Sequence, residues 1–307
     1  MRRALAALSA AVVGVAVLGL TAGCGDDGRN VRATANTPSS GTAGSGTGSL
    51  AEQDLGGPAK DRQVQAAVDS YRGYVVSEVA KLVTATRAFT DAVRAGDVAK
   101  AKTLYAPSRV SWEGIEPIAG LVPDIDGAID SRVDNFAGPE DPKFTGWHRL
   151  EYLLWAKNTT AGGTQYADAL DATIATLQRG LGKVTITPKA MVLGAGDLVE
   201  EVSKGKITGE EDRYSHTDLW DFAANIAGSE AVFRTLTPLL EAKSRALYDA
   251  IRHDFEAVRT SLAKYGSLST TFRSYADLTA HDRSTMQAQL ATLSEDLAKV
   301  LSALGIA

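Results

Sequence analysis

His148 and Glu151 stand three residues apart in Gly146-Trp147-His148-Arg149-Leu150-Glu151, where an amphipathic apolar run begins. On a helix this spacing brings an imidazole and a carboxylate to one face, close enough to share a metal ion. Glu113 and Glu116 repeat the interval on a segment that also carries Trp112, Ile115 and Ile118. Inward carboxylates with a histidine between helices are how bundles build metal sites. Asp130 and Glu211 are further oxygen donors in segments that can fold back onto the pair, and Asp126 and Glu210 are neighbours able to take their places. The chain has only four histidines and one cysteine, so few other side chains compete for such a role.

Each acid also has a plain structural use. Glu113 and Glu116 suit a solvated face, Asp130 a loop cap, and Glu210 and Glu211 a helix start, where the dipole favours negative charge. Carboxylates with one imidazole and no thiolate suit iron, zinc, manganese or copper(II) rather than copper(I). Hydrolytic chemistry finds little support. There is no His-Glu-x-x-His run, and Tyr152 follows Glu151 where an inverzincin has histidine. Ser215, His216 and Asp218 are too close together at a helix start to form a nucleophile, base and orienter. A non-enzymatic binding role is therefore expected.

The elements that must position these residues read as helices. Val64, Val68, Tyr71, Val75, Val79, Leu82, Ala85 and Phe89 recur at three- and four-residue steps up to Ala95-Gly96-Asp97. A second helix follows from Val98, with Pro107 expected to restart it and Pro117 near its end. Residues 121–138, rich in Pro, Gly and Asp, predict a loop with one or two short helical turns. Further helices are expected over 146–156, 166–181 and 188–204, the last capped by Thr187 with Pro188 at its first position. A long helix opening within 209–218 and reaching about Leu240, then 244–265 and 278–304, complete the chain. No alternating strand of useful length is evident beyond Val184 to Thr187. The expectation is an all-α fold, two four-helix bundles packed side by side.

The first 60 of the 307 residues differ from the rest. Arg2 and Arg3 precede an apolar and small-residue run from Ala4 to Leu20, the pattern of a secretion signal. Thr21-Ala22-Gly23-Cys24 resembles a lipobox, with Thr21 where leucine is usual, so residues 1–24 are expected to be a signal peptide with lipidation on Cys24. Residues 25–60, rich in Gly, Ser, Thr and Ala, read as a flexible linker and 61–307 as the folded domain. One cysteine rules out an intrachain disulfide. A net charge of −5 argues against a nucleic-acid partner.

The residues resemble a known family. Gly146-Trp-His148-Arg-Leu-Glu151 is similar to the Gly-x-His-x-x-Glu motif of imelysin-like proteins, also grouped as peptidase family M75. The run Lys206-Ile-Thr-Gly-Glu-Glu211-Asp-Arg-Tyr-Ser-His216-Thr-Asp-Leu-Trp-Asp-Phe222 resembles the signature of the EfeO and EfeM iron-uptake lipoproteins. Tyr71-Arg-Gly-Tyr-Val75, Ala95-Gly-Asp97, Leu104-Tyr-Ala-Pro107-Ser-Arg109 and Ile115-Glu-Pro117 fit the same family in order. The resemblance implies capture of iron, ferric or ferrous, with zinc or copper as alternatives in the same site. It also implies delivery to a partner permease beside a haem-peroxidase-like protein, from a lipid anchor on the extracytoplasmic face of the cell membrane. Carried over by motif, the metal ligands would be Glu113, Glu116, Asp130, His148, Glu151 and Glu211, with His216 in a supporting role. Residues before Asp61 are too few and too Gly-rich for the cupredoxin domain of many EfeO members, so an imelysin-like domain alone is expected. A metallopeptidase-like enzyme and a metal-independent binder of an acidic polysaccharide are the rival readings.

Overall fold

The computed structural model describes Leu50 and residues 53–306. The expected signal segment, Cys24 and most of the linker lie outside the described residues. Helix α1 (Arg62–Arg94) starts at Asp61, whose carboxylate accepts from the backbone N–H groups of Gln63 and Val64. Its apolar stripe is buried as the spacing predicts, with Ala85 alone only half-buried. Helix α2 (Val98–Ile115) runs on into a 3-10 turn, Glu116–Leu121, and the following loop contains the short helix α3 (Pro123–Ile129). Helices α4 (Gly146–Trp155) and α5 (Thr164–Gly180) close the first bundle on α1 and α2.

The second bundle is a ring of α6 (Pro188–Lys204), α7 (Asp218–Lys243), α8 (Arg245–Ala263) and α9 (Ala280–Leu297). Thr187 caps α6 through its hydroxyl, which accepts from Ala190 N–H and donates to the Leu55 carbonyl. That bond ties the stretch before α1 to the second bundle, and Leu50, ahead of it, is buried. Helices α2 and α7 pack against each other along the seam between the bundles. Gly228 permits this approach, since a Cβ there would lie 2.2 Å from the Gly114 carbonyl oxygen. The described residues contain no strand, only an antiparallel bridge between Gly266 and Phe272.

Two helix boundaries differ from expectation. Pro107 lies inside a continuous α2, where burial of Tyr105, Ala106, Ser108 and Arg109 holds the helix across a residue that costs about 3 kcal/mol in a helix interior. Helix α7 begins at Asp218, at the end of the expected window. Gly209 and His216 take left-handed φ of 83° and 57°, and Glu151 accepts the backbone N–H groups of Tyr214 and Ser215. With those donors satisfied from another helix, residues 210–217 need no helical ladder. The C-terminal helix breaks at Ala298-Lys299, and α10 (Val300–Leu304) turns onto α6 and α7.

Candidate metal centre

Most of the buried charged side chains among the described residues gather at the seam. Helix α2 supplies Tyr105, Arg109 and Glu113 at four-residue steps on one face, and the 3-10 turn adds Glu116. Asp130 caps α3, His148 and Glu151 come from α4, and Asp218, Asp221 and Asn225 from α7. The stretch between α6 and α7 adds Lys206, Glu211 and Asp212. All of these are buried.

Gly146 sets the position of His148. Its φ is +79°, and a Cβ would lie 2.2 Å from the Ile129 carbonyl oxygen. The start of α4 can therefore lie against the end of α3, bringing His148 beside Asp130. The Asp130 carboxylate is fixed from two other sides, by Arg109 Nη1 at 2.5 Å and Trp112 Nε1 at 2.8 Å.

The imidazole has two differently furnished sides. Nε2 lies 3.5 Å from Asp130 Oδ1, 3.9 Å from Glu211 Oε1 and 3.3 Å from Arg109 Nη1. Nδ1 lies 3.2 Å from Glu151 Oε2, 3.8 Å from Asp212 Oδ1 and 3.3 Å from the Tyr105 hydroxyl. Either set offers three ligand atoms close enough together for one ion: Asp130, His148 and Glu211, or His148, Glu151 and Asp212.

Glu113 and Glu116 sit deeper in the same network. Lys206 Nζ donates to Glu113 at 3.1 Å and Glu116 at 2.9 Å, and Asn225 Nδ2 reaches both carboxylates. Arg109 Nη2 also donates to Glu113, at 2.6 Å. Glu211 links the two regions, 3.6 Å from Lys206 Nζ and 3.2 Å from Arg132 Nη1. Of the alternatives left open by the sequence, Glu210 is exposed, while Asp126 is buried one turn before Asp130. His216 is exposed, and its carbonyl accepts from Tyr275 N–H.

Electrostatically the centre is over-supplied with acid. Eight buried carboxyl groups, Glu113, Glu116, Asp130, Glu151, Glu211, Asp212, Asp218 and Asp221, surround two buried cations, Arg109 and Lys206. Burial pushes Glu116 and Asp221 well above the carboxylate range despite Lys206 and Arg109 beside them. Burial and the neighbouring Asp212 raise Asp218 to about 8. Asp130 goes the other way: the Arg109 guanidinium, His148 and Lys206 outweigh its burial and hold it far below the usual range. For His148, burial and Arg109 act against the charged form, but hydrogen bonds to Asp130 and Glu151 carry it to about 9. Burial raises the Tyr105 phenol well above its ordinary value.

Protons held on such groups are ones that a multivalent cation would displace on binding. The anchoring cations and Asp212 were not singled out by residue type. Arg109 and Tyr105 could have been found from the polar four-residue stripe on α2, and Lys206 and Asp212 from the run that contains Glu211.

An all-helical fold with a carboxylate and histidine centre between two bundles defines the class of protein. The imelysin (peptidase M75) family model matches residues 67–300, and the chain belongs to that family. Among curated proteins, it is 47% identical over 241 residues to the iron uptake system component EfeO of Escherichia coli O157:H7. It is 46% identical to the proteins of the same name from Escherichia coli K12 and Shigella flexneri. Each match covers 78% of this chain and 64% of the relative, so the chain spans less than two thirds of these relatives' length.

Proposed function

We propose that this chain is an extracytoplasmic iron-binding protein that captures ferric or ferrous iron and passes it to a membrane permease of an Efe-type uptake system. A haem-peroxidase-like protein is the third component, and lipid on Cys24 holds the chain at the membrane. The observation that carries the reading is the excess of buried carboxyl groups around His148, which a bound cation would neutralise. Relatives named as iron uptake system components support iron as the cargo.

The burial of the ligand atoms favours an ion over a polymer. Asp130, His148, Glu151 and Asp212 are at most 5% exposed, and the gaps between them suit an ion, whereas a peptide or polysaccharide needs an open cleft. The relatives' names point to uptake rather than hydrolysis, although the family carries a peptidase name. Uptake of radiolabelled iron by cells expressing the chain with its permease tests the reading. His148→Ala should reduce uptake to background; unchanged uptake would contradict it.

A further inference from the structure

We propose that Tyr105 is a ligand for a ferric ion held on the Nδ1 side of His148, with Glu151 and Asp212 as its carboxylate partners. The inference rests on the iron-binding reading and names the ion and a ligand type that the paired-acid motifs do not contain.

The two sides of the imidazole are not equivalent. On the Nε2 side the Arg109 guanidinium lies 3.3 Å from the ring nitrogen and bonds Asp130, whereas on the other side it comes no nearer than 3.9 Å to Asp212 Oδ1, so an ion at Nε2 would meet the closer fixed positive charge. Nε2 also faces the Asp130 carboxylate at 3.5 Å. A histidine that ligates metal through one nitrogen commonly donates its other N–H to a carboxylate, which fixes tautomer and ring orientation. Asp130 suits that supporting role and leaves Nδ1 for the ion.

Around Nδ1 the spacings are those of a coordination shell. The Tyr105 hydroxyl is 3.3 Å from Nδ1 and 2.8 Å from Asp212 Oδ1, while Glu151 Oε2 and Asp212 Oδ1 lie 3.2 and 3.8 Å from Nδ1. Bonds of about 2.1 Å place neighbouring ligand atoms about 3.0 Å apart in an octahedron and about 3.4 Å apart in a tetrahedron. The observed values bracket that range.

Each carboxylate is also oriented to present one oxygen. Glu151 Oε1 is occupied by the Tyr214 and Ser215 backbone N–H groups, which leaves Oε2 toward the histidine. Asp212 Oδ2 accepts from the Thr217 hydroxyl, which leaves Oδ1 toward Tyr105. The four inward atoms are thus one imidazole nitrogen, two carboxylate oxygens and one phenol.

When the ion binds, the Tyr105 O–H bond breaks, an iron–oxygen bond forms and the proton leaves to solvent, with no change in oxidation state. A phenolate is a hard anionic oxygen and an established iron ligand, so it favours the trivalent ion over zinc or copper.

The test loads the full chain with ferric nitrilotriacetate and records visible absorption and resonance Raman spectra. The wild type should show a phenolate-to-iron charge-transfer band with tyrosine ring modes enhanced in it. Tyr105→Phe should lose both and bind ferric ion about 10–100-fold more weakly, while retaining zinc binding as evidence of a folded centre. Should that variant fail to fold, Tyr152→Phe and Tyr214→Phe identify the source of the band, and both should keep it. A colourless ferric complex of the wild type, or a band that survives Tyr105→Phe, would overturn the assignment and leave iron binding intact. No ferric binding by the wild type would remove the iron reading as well.

Discussion

His148 cannot ligate a metal while it carries its second proton, and its hydrogen bonds to Asp130 and Glu151 hold that proton to about pH 9. Metal affinity should therefore rise at least about tenfold per pH unit from pH 6 to pH 9, since His148 loses one proton per ion and, for ferric ion, Tyr105 loses a second. Titrations at a series of pH values check this; a flat profile would remove His148 from the ligand set. The metal-free protein should show the opposite trend. Asp218 holds a proton in the folded state up to about pH 8 that the unfolded chain loses near the ordinary carboxylate range. The raised value for His148 contributes stability that is full below its unfolded value, about 6.5, and is lost as pH rises through about 9. Both make the native state the better proton binder, so stability falls as pH rises across this window. Urea midpoints of chelated protein should decrease from pH 5 to pH 9. Changing Lys206 to Met should cost about 1–3 kcal/mol at neutral pH, because Glu116 loses its buried cation and Glu113 keeps only Arg109. Denaturant unfolding measures that loss, and a neutral outcome would mean that protonation already satisfies the pair.

At the scale of elements, the approach of α4 to α3 depends on Gly146. Ala at that position must take a left-handed φ and push against Ile129, so Gly146→Ala should lower stability by about 2–5 kcal/mol and weaken metal binding with it. Calorimetry and a metal titration on the same variant check both effects. The helices were legible because the stripe from Val64 to Phe89 is long and strictly periodic, and one buried face explains it. Pro107 misled because propensity is local, whereas the packing that keeps α2 continuous comes from elements distant in sequence. That α7 starts at the end of its 209–218 window has a related cause: Glu151, remote in the chain, accepts the backbone donors of residues 214 and 215. The candidate site was readable as residue types, Glu113, Glu116, Asp130, His148, Glu151 and Glu211, and the fold brings all six into one network. Their division among two sides of an imidazole and a Lys206-bound pair was not readable, because it depends on which face of the histidine meets Arg109.

Across the whole molecule, binding energy at the seam should appear as global stability, since α2, α4 and α7 from both bundles contribute to one centre. A metal present at about 100 times its Kd adds about 2.7 kcal/mol, which corresponds to a rise in Tm of about 5–10 °C for a domain of this size. Cys24→Ala should release the chain from the membrane fraction on cell fractionation; continued retention would refute the lipidation expected there. In the proposed function, His148 organises an iron site buried between the two bundles. Isothermal titration of the protein with ferric and ferrous ions, alongside His148→Ala, tests it most directly. The wild type should bind iron tightly, and the variant should lose that binding with an unchanged fold. Equal iron affinity in the two proteins would contradict it.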